Sequence, residues 1–431
     1  MENAQPYVRR VVDHILDELL TQLPAISLDG ARGVGKTETS KRRATTVFSL
    51  DDLAQKEALR ESPEVLTNAP GPVLIDEWQQ VPEVWDRVRR LVDSKVEPGR
   101  FLLTGSHPPQ ESPVHTGAGR IVRVRMRPLS MVERHPDNQT VYLTDLMAGN
   151  ATIEGECSLA LPEYVEEIMA SGFPELRNYS GRARRNSLDS YIDNAVERDI
   201  PGQGVEIRRP QALRAWLAAY AAATGSTANY QTILDAAAPA LPNKPSRITT
   251  AAYRDVLANM WLIDQVPAWI SPGNEFSALA QSPKHYLADP ALAARLLQLD
   301  EQQLLRGAQT KTLGPQEGSI LGRLFEGLVS QSLHTYADVL EARLSHVREK
   351  NGRHEVDFLL EGPGGSKVAI EVKLTRTVSA EDVTHLHWLK KKLGDRLTDA
   401  IVVTVGPNAY RRLDGIAVVP FGCLGVAPGM P

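Results

Sequence analysis

Gly30-Ala31-Arg32-Gly33-Val34-Gly35-Lys36-Thr37 fits the pattern G-x-x-x-x-G-K-[ST], and its reading decides the N-terminal third of the chain. AISLDG (25–30) just before it has the apolar run of a short buried strand, and the residues after it read as a helix, which is the context this loop requires. Glycines at this spacing let backbone N–H groups close around phosphate oxygens, and the start of the following helix adds partial positive charge. Gly30 through Thr37 are therefore the candidate nucleotide-binding loop. Lys36 is placed to neutralise the β and γ phosphates, and the Thr37 hydroxyl is a ligand for Mg²⁺.

Two further strands complete the set. GPVLIDE (71–77) ends in paired acids: Asp76 is expected to hold Mg²⁺ through its water shell, leaving Glu77 to polarise the attacking water. RFLLTGS (100–106) ends in small polar residues where a group sensing the γ phosphate would lie, which makes Thr104 and Ser106 candidates. Arg120, in GAGRIVRVRMRPLS, is either an arginine finger reaching the phosphate of a neighbouring subunit in a homo-oligomer or a solvated strand arginine. ATP and Mg²⁺ are the expected ligands.

The rest of the composition is that of a globular chain. With 431 residues, 42% hydrophobic and 23% charged, it is long enough for about three domains and too apolar for disorder. A net charge of -5 excludes a uniformly basic nucleic-acid coat but leaves local basic patches open. Two cysteines, Cys157 and Cys423, far apart in sequence, argue against a disulfide framework and for a reducing compartment. Asp13, Asp17 and Glu18 interrupt the N-terminal apolar positions, unlike a signal peptide, and the apolar stretch from Leu213 is too short to cross a membrane. A cytoplasmic location is expected.

The middle is helical. Leu188, Tyr191, Ile192, Ala195 and Val196 share one helical face, and PQALRAWLAAYAAATG stops at Gly225. Shorter helices at NYQTILDAA and from Thr249 to Leu262 precede the extended DQVPAWI. Three helices followed by an extended hairpin is the order of a winged helix. Its third helix offers only Arg254 and Asn259 as polar readers, so packing against its own N-terminal domain is favoured over DNA reading. Arg182, Arg184, Arg185, Arg208 and Arg209 are the candidates for tracking a phosphate backbone, or else a solvated face.

In the C-terminal third, HEVDFLLE (354–361) and KVAIEVKL (367–374) read as a hairpin joined by GPGGS. Alternation along the second strand puts Glu371 and Lys373 on one face, and the turn brings Asp357 beside Glu371. Asp357 and Glu371 sharing a divalent metal, with Lys373 near the attacking water and Glu326 from the preceding helix, is the working set of metal-dependent phosphodiester hydrolysis. The plain alternative is a half-exposed hairpin carrying salt bridges.

GARGVGKT, LIDEWQQVPEVW, RFLLTGS, GRIVRVRMRPLS, GFPELR, YIDNAVERDI, GRLFEGLV, EVDFLL and VAIEVKL together resemble prokaryotic AAA-type ATPases with a C-terminal domain of unknown function, one that combines a winged helix with a restriction-endonuclease-like fold. The resemblance implies ATP as the nucleotide, Asp76 and Glu77 in the magnesium and water roles, and a nuclease-like set of Glu326, Asp357, Glu371 and Lys373. Gly327 and Gln331 depart from it, standing where Asn and Glu are expected. The expected architecture is α/β: a P-loop ATPase domain (1–160), a helical winged-helix-like middle (161–300) and a C-terminal α/β PD-(D/E)xK nuclease-like domain (301–431). The expected function is a Mg²⁺-dependent ATPase that controls a DNA-facing module. The alternative is a nucleotide-switched protein that binds a protein partner and carries an inactive nuclease-like domain.

Overall fold

A computed structural model describes residues 7–107, 117–201, 209–237, 246–270, 282–309, 319–349 and 352–430. Arg208 and the connection 271–281 that follows DQVPAWI lie outside the described residues.

Five strands form an all-parallel sheet: β1 (Ala25–Asp29), β2 (Thr46–Ser49), β3 (Val73–Asp76), β4 (Phe101–Gly105) and β5 (Val122–Arg125), in the order β2-β3-β4-β1-β5. The central strands β1, β3 and β4 are buried along their whole length, as near-continuous apolar runs require when both faces are covered. On one face Ala25, Val73, Ile75, Phe101 and Leu103 pack with Trp78, Trp85 and Val88. Ile26, Leu28, Leu74 and Leu102 on the other face open a core that runs on through Tyr164 and Trp216 to Leu324, Ile370 and Val403. Apolar packing therefore passes from the first strand into the last third of the chain.

Two short strands, β6 (Val141–Tyr142) and β7 (Gly155–Glu156), come next. The middle supplies helices Leu161–Ala170, Gly181–Asn194, Pro210–Ala222, Tyr230–Ala237 and Arg247–Asn259, with a π-helical turn at Ala195–Asp199. The helix expected to reach Leu262 ends at Asn259, and Trp261 takes a left-handed φ of 61° before the chain extends. Ile263 and Val266 then bridge Leu287 and Lys284 in antiparallel fashion.

The C-terminal sheet is built from β8 (Arg343–Arg348), β9 (Glu355–Glu361), β10 (Lys367–Lys373), β11 (Asp399–Thr404), β12 (Asn408–Arg411) and β13 (Ala417–Pro420), with β14 (Leu424–Gly425) apart. Its order is β7-β12-β13-β11-β10-β9-β8. β9 and β10 form the expected hairpin, with Phe358 opposite Ile370, and β10 lies parallel to β11. β7 pairs with β12, and β6 pairs with β14, so the segment following the parallel sheet is stitched to the far end of the chain.

One helix, Ile320–Val339, is buried along most of its twenty residues. Its Ser332 and Tyr336 hydroxyls accept from the backbone N–H groups of Met131 and Val132, satisfying donors at the start of the short helix Met131–Arg134 that the helix itself cannot use. Gln331 accepts from Arg134 and donates to Asp289, so its amide ties the three regions together.

Near it lies a buried charge cluster. Asp264 receives Arg125 Nη1 at 2.9 Å and Arg127 Nε at 2.7 Å, while Arg127 also reaches Asp338. Burial raises the Asp264 carboxyl, but the two guanidinium groups outweigh it and hold it well below the usual range. Replacing Asp264 by Ala would take the carboxylate from Arg125 in a poorly solvated place and leave Arg127 with Asp338 alone, a loss of about 3–5 kcal/mol. Urea unfolding of that variant is expected to show a midpoint far below wild type.

Candidate functional site

The glycine-rich loop leaves β1 at Gly30 and enters the helix Lys36–Lys41. A side chain at Gly30 would put its Cβ 2.2 Å from the Met126 carbonyl oxygen, so only glycine lets the loop pass β5. Gly35 has φ 103°, a conformation that L side chains rarely adopt. Arg10, itself buried, clamps the loop from behind: Nη1 donates to Val34 O at 2.8 Å, Nη2 to Arg127 O at 2.7 Å, and Nε to Glu133 at 2.9 Å. The loop's shape is thus set by its surroundings.

Lys36 Nζ donates to Gly30 O and Ala31 O at 2.9 and 3.0 Å. Burial draws its pKa below the usual lysine value, with Glu77, Asp29 and Asp76 opposing. Thr37 Oγ1 donates to Asp76 Oδ1 at 2.8 Å. A hydroxyl and a carboxylate this close, both lining one cleft, are a donor set suited to Mg²⁺, which prefers one or two protein oxygens and keeps its waters.

Glu77 has φ 55°, in the left-handed region that costs a non-glycine residue of order 1–3 kcal/mol. The conformation turns its carboxylate toward Ser106, whose hydroxyl donates to Glu77 Oε2 at 2.9 Å, and toward the Gln79 amide, which donates to the same oxygen. Thr104 is fully buried. It donates to Asp76 and accepts from the Glu77 backbone N–H at 3.2 Å, bracing both acids from behind, while Ser106 faces the cleft.

That cleft measures about 400 Å³. One wall is Arg32, Thr37, Asp76 and Glu77, and the other comes from the helical middle: Tyr191, Ala195 and Asp199. Tyr191 donates to Arg32 O at 3.1 Å, Asp199 lies 3.3 Å from the Arg32 guanidinium, and Phe173 packs on Tyr191 with ring centroids 4.8 Å apart. These three residues recur at i, i+4 and i+8, so one helical stripe closes the site. Sequence reasoning placed Tyr191 and Ala195 on an apolar face without a role at the nucleotide; the signal present was Asp199, an acid continuing that stripe. Asp51 and His107 also line the cleft and were not foreseen.

Arg120 does not line it. Its Nε donates to Asp93 at 2.9 Å on an exposed face. Of the basic residues considered for a phosphate backbone, Arg184 is turned inward onto Glu166 and Glu301, at 2.7 and 3.7 Å, and is spent on packing the helices.

The C-terminal set does converge. Glu326, Asp357 and Lys373 line a second cleft of about 730 Å³, and Lys373 Nζ donates to Glu371 Oε1 at 2.8 Å. Asp357 Oδ2 accepts the Val372 backbone N–H at 2.9 Å. The unforeseen member is Lys284, whose ammonium lies among the carboxylates. The residues present therefore do not fit a metal ion shared by Glu326 and Asp357, because the space between them already holds a cation. Among the described residues, no group of three or more His, Cys, Asp or Glu is placed to take one.

Burial, and then the charge of Asp357, push the Glu371 carboxyl up to about 8, with Lys373 opposing. A carboxyl whose folded pKa is raised binds its proton more tightly in the native state. Its contribution to stability is therefore full below the unfolded value near 4.5 and is lost as pH rises through the folded one. Glu371→Gln is expected to flatten the fall in melting temperature across that interval, as read by thermal denaturation of both proteins at a series of pH values.

The parallel sheet carries the glycine-rich loop at the end of β1 and the paired acids at the end of β3. Residues 22–135 match a family model described as an AAA domain. Residues 161–303 and 321–424 match two models each described as a domain of unknown function (DUF8612 and DUF4143). The chain is 27% identical over 418 residues to uncharacterized proteins of Mycobacterium bovis and Mycobacterium tuberculosis, covering 94% of this chain and 82% of theirs. A Walker-type ATPase of Pyrococcus abyssi is similar to it at 17% identity, covering 68% of this chain and 99% of that one, with a TM-score of 0.35. Among the described residues no helix is long and apolar enough to cross a membrane.

Proposed function

We propose that the protein is a Mg²⁺-dependent ATPase whose nucleotide state is felt by its helical middle and passed to the C-terminal domain. The observation that carries this reading is the shared cleft, with Thr37, Asp76 and Glu77 on one wall and Tyr191 and Asp199 on the other. A nucleotide that enters must touch both walls.

In this reading Gly30 through Thr37 wrap the phosphates and Lys36 neutralises their charge. Thr37 and Asp76 hold Mg²⁺, which when bound supplies charge neutralisation at the phosphoryl oxygens. Glu77, held by Ser106 and Gln79, accepts the proton of the attacking water. Arg32 faces the same cleft, and its pairing with Asp199 is the contact a phosphate would compete for. Movement of the Tyr191–Asp199 helix would then accompany binding and release.

The module controlled in this way faces DNA in the first reading, through the winged-helix-like middle and the nuclease-like domain. The competing reading, a regulatory protein whose partner is another protein, draws support from Arg254. This candidate reader in the third helix already holds Asp255 at 2.6 Å and lies over the Tyr230 ring. Fluorescence anisotropy with labelled duplex DNA, with and without ATP and Mg²⁺, separates the two: nucleotide-dependent DNA binding supports the first, and no DNA binding in any nucleotide state supports the second.

For the ATPase itself, Glu77→Gln is expected to keep nucleotide affinity while slowing phosphate release by about 10²-fold or more. Equal turnover in that variant and wild type would remove Glu77 from the water-activating role. Thr37→Ala is expected to weaken ATP binding in Mg²⁺ much more than in EDTA, as measured by titration calorimetry.

A further inference from the structure

Lys284 is among the most deeply buried charged residues described, at 1% exposure. Its Nζ lies 2.7 Å from Asp357 Oδ1, 3.0 Å from Glu326 Oε1 and 3.2 Å from Glu355 Oε1. An ammonium group carries three N–H donors, and here three carboxylates from three positions meet it. Most neighbouring acceptor sites are also taken, Glu371 Oε2 being buried without a hydrogen-bond partner. Asp357 Oδ2 accepts the Val372 backbone N–H, Glu326 Oε1 accepts the Tyr286 hydroxyl, and Glu371 Oε1 accepts Lys373.

The lysine does not belong to the helix and hairpin that carry the acids. It comes from the extended segment after the helical middle, where its backbone exchanges two hydrogen bonds with Val266: Lys284 N–H to Val266 O at 2.9 Å, and Val266 N–H to Lys284 O at 3.1 Å. Val266 follows closely on Asp264, the acid that joins this segment to Arg125 and Arg127. The position of the ammonium is therefore fixed from outside the carboxylate cluster.

A divalent ion shared by Glu326 and Asp357 would need their oxygens as ligands at about 2.0–2.6 Å. The ammonium nitrogen already occupies the space these oxygens surround, and two cations do not share it. We propose that Lys284 is a built-in cation standing in the place of a divalent metal, so that the C-terminal carboxylate cluster takes no metal and cuts no phosphodiester while Lys284 is seated. Removing its side chain opens the space between Glu326 and Asp357 to a hard divalent cation, with waters completing its shell. This inference does not depend on ATP hydrolysis.

The test is Mn²⁺ binding to the full-length protein without nucleotide, followed by the loss of the free-ion electron paramagnetic resonance signal. Wild type, Asp357→Asn, Lys284→Ala, which empties the space held by the ammonium, and Lys284→Ala combined with Asp357→Asn are compared. Wild type and Asp357→Asn are expected to bind Mn²⁺ alike, so that any ion held at the nucleotide loop cancels. Lys284→Ala is expected to gain one site, tighter than any residual binding by about tenfold or more, and the combined variant to lose it. The proposal is overturned if wild type holds an ion that Asp357→Asn releases, or if folded Lys284→Ala gains no site. Circular dichroism checks folding. If Lys284→Ala unfolds, the wild-type and Asp357→Asn pair decides: an Asp357-dependent ion refutes the proposal and equal binding sustains it.

Discussion

The carboxylate of Asp264 is the point on which the arrangement of the three regions rests. It lies on the extended segment of the middle, receives two arginines from the end of the parallel sheet, and sits 3.5 Å from His334 of the long C-terminal helix. Burial lowers the His334 pKa, and Arg127 and Arg125 add to that against Asp264, so the ring stays neutral beside a cluster already balanced by two cations and two acids. An ionic junction of this kind adds little net stability over an apolar one, but it tolerates few alternative alignments. Apolar packing alone would let helices slide; the fixed directions of two guanidinium forks do not.

That alignment decides what the two clefts look like. It sets the middle against the glycine-rich loop, so that Tyr191 and Asp199 close the nucleotide cleft. It also sets the strand-like segment through Val266 against the C-terminal sheet, which delivers Lys284 to the acids. The two clefts thus receive residues from the same region of chain, one on each side.

Legibility in the sequence followed how local each feature is. Gly30 through Thr37, Asp76 and Glu77 lie at the ends of β1 and β3, whose apolar runs announce them, so pattern and context coincide in two short stretches. The hairpin of β9 and β10 was readable for the same reason, since GPGGS separates two alternating runs and register follows from the turn. Lys284 was not readable. It stands 42 residues before Glu326 and 73 before Asp357, in a stretch with no periodicity, and only tertiary structure brings it there. The pairing of Arg32 with Asp199, 167 positions apart, escaped notice likewise. β6, β7 and β14, two residues each, are too short to leave a hydrophobic pattern at all.

Those short strands bear on how the chain can be assembled. β6 and β7 leave the nucleotide-binding part early in the sequence, yet their partners β14 and β12 arrive only in its last two dozen residues. During synthesis from the N-terminus, the edge of the first part must wait, unpaired, until residues 408–425 have been made. A truncation near the C-terminus would accordingly be felt next to the ATPase-type domain, and a fragment stopping at residue 160 would carry two orphaned strands. The segment after the parallel sheet and the strands β12 and β14 are mechanically one place, joined much as a belt is by its buckle.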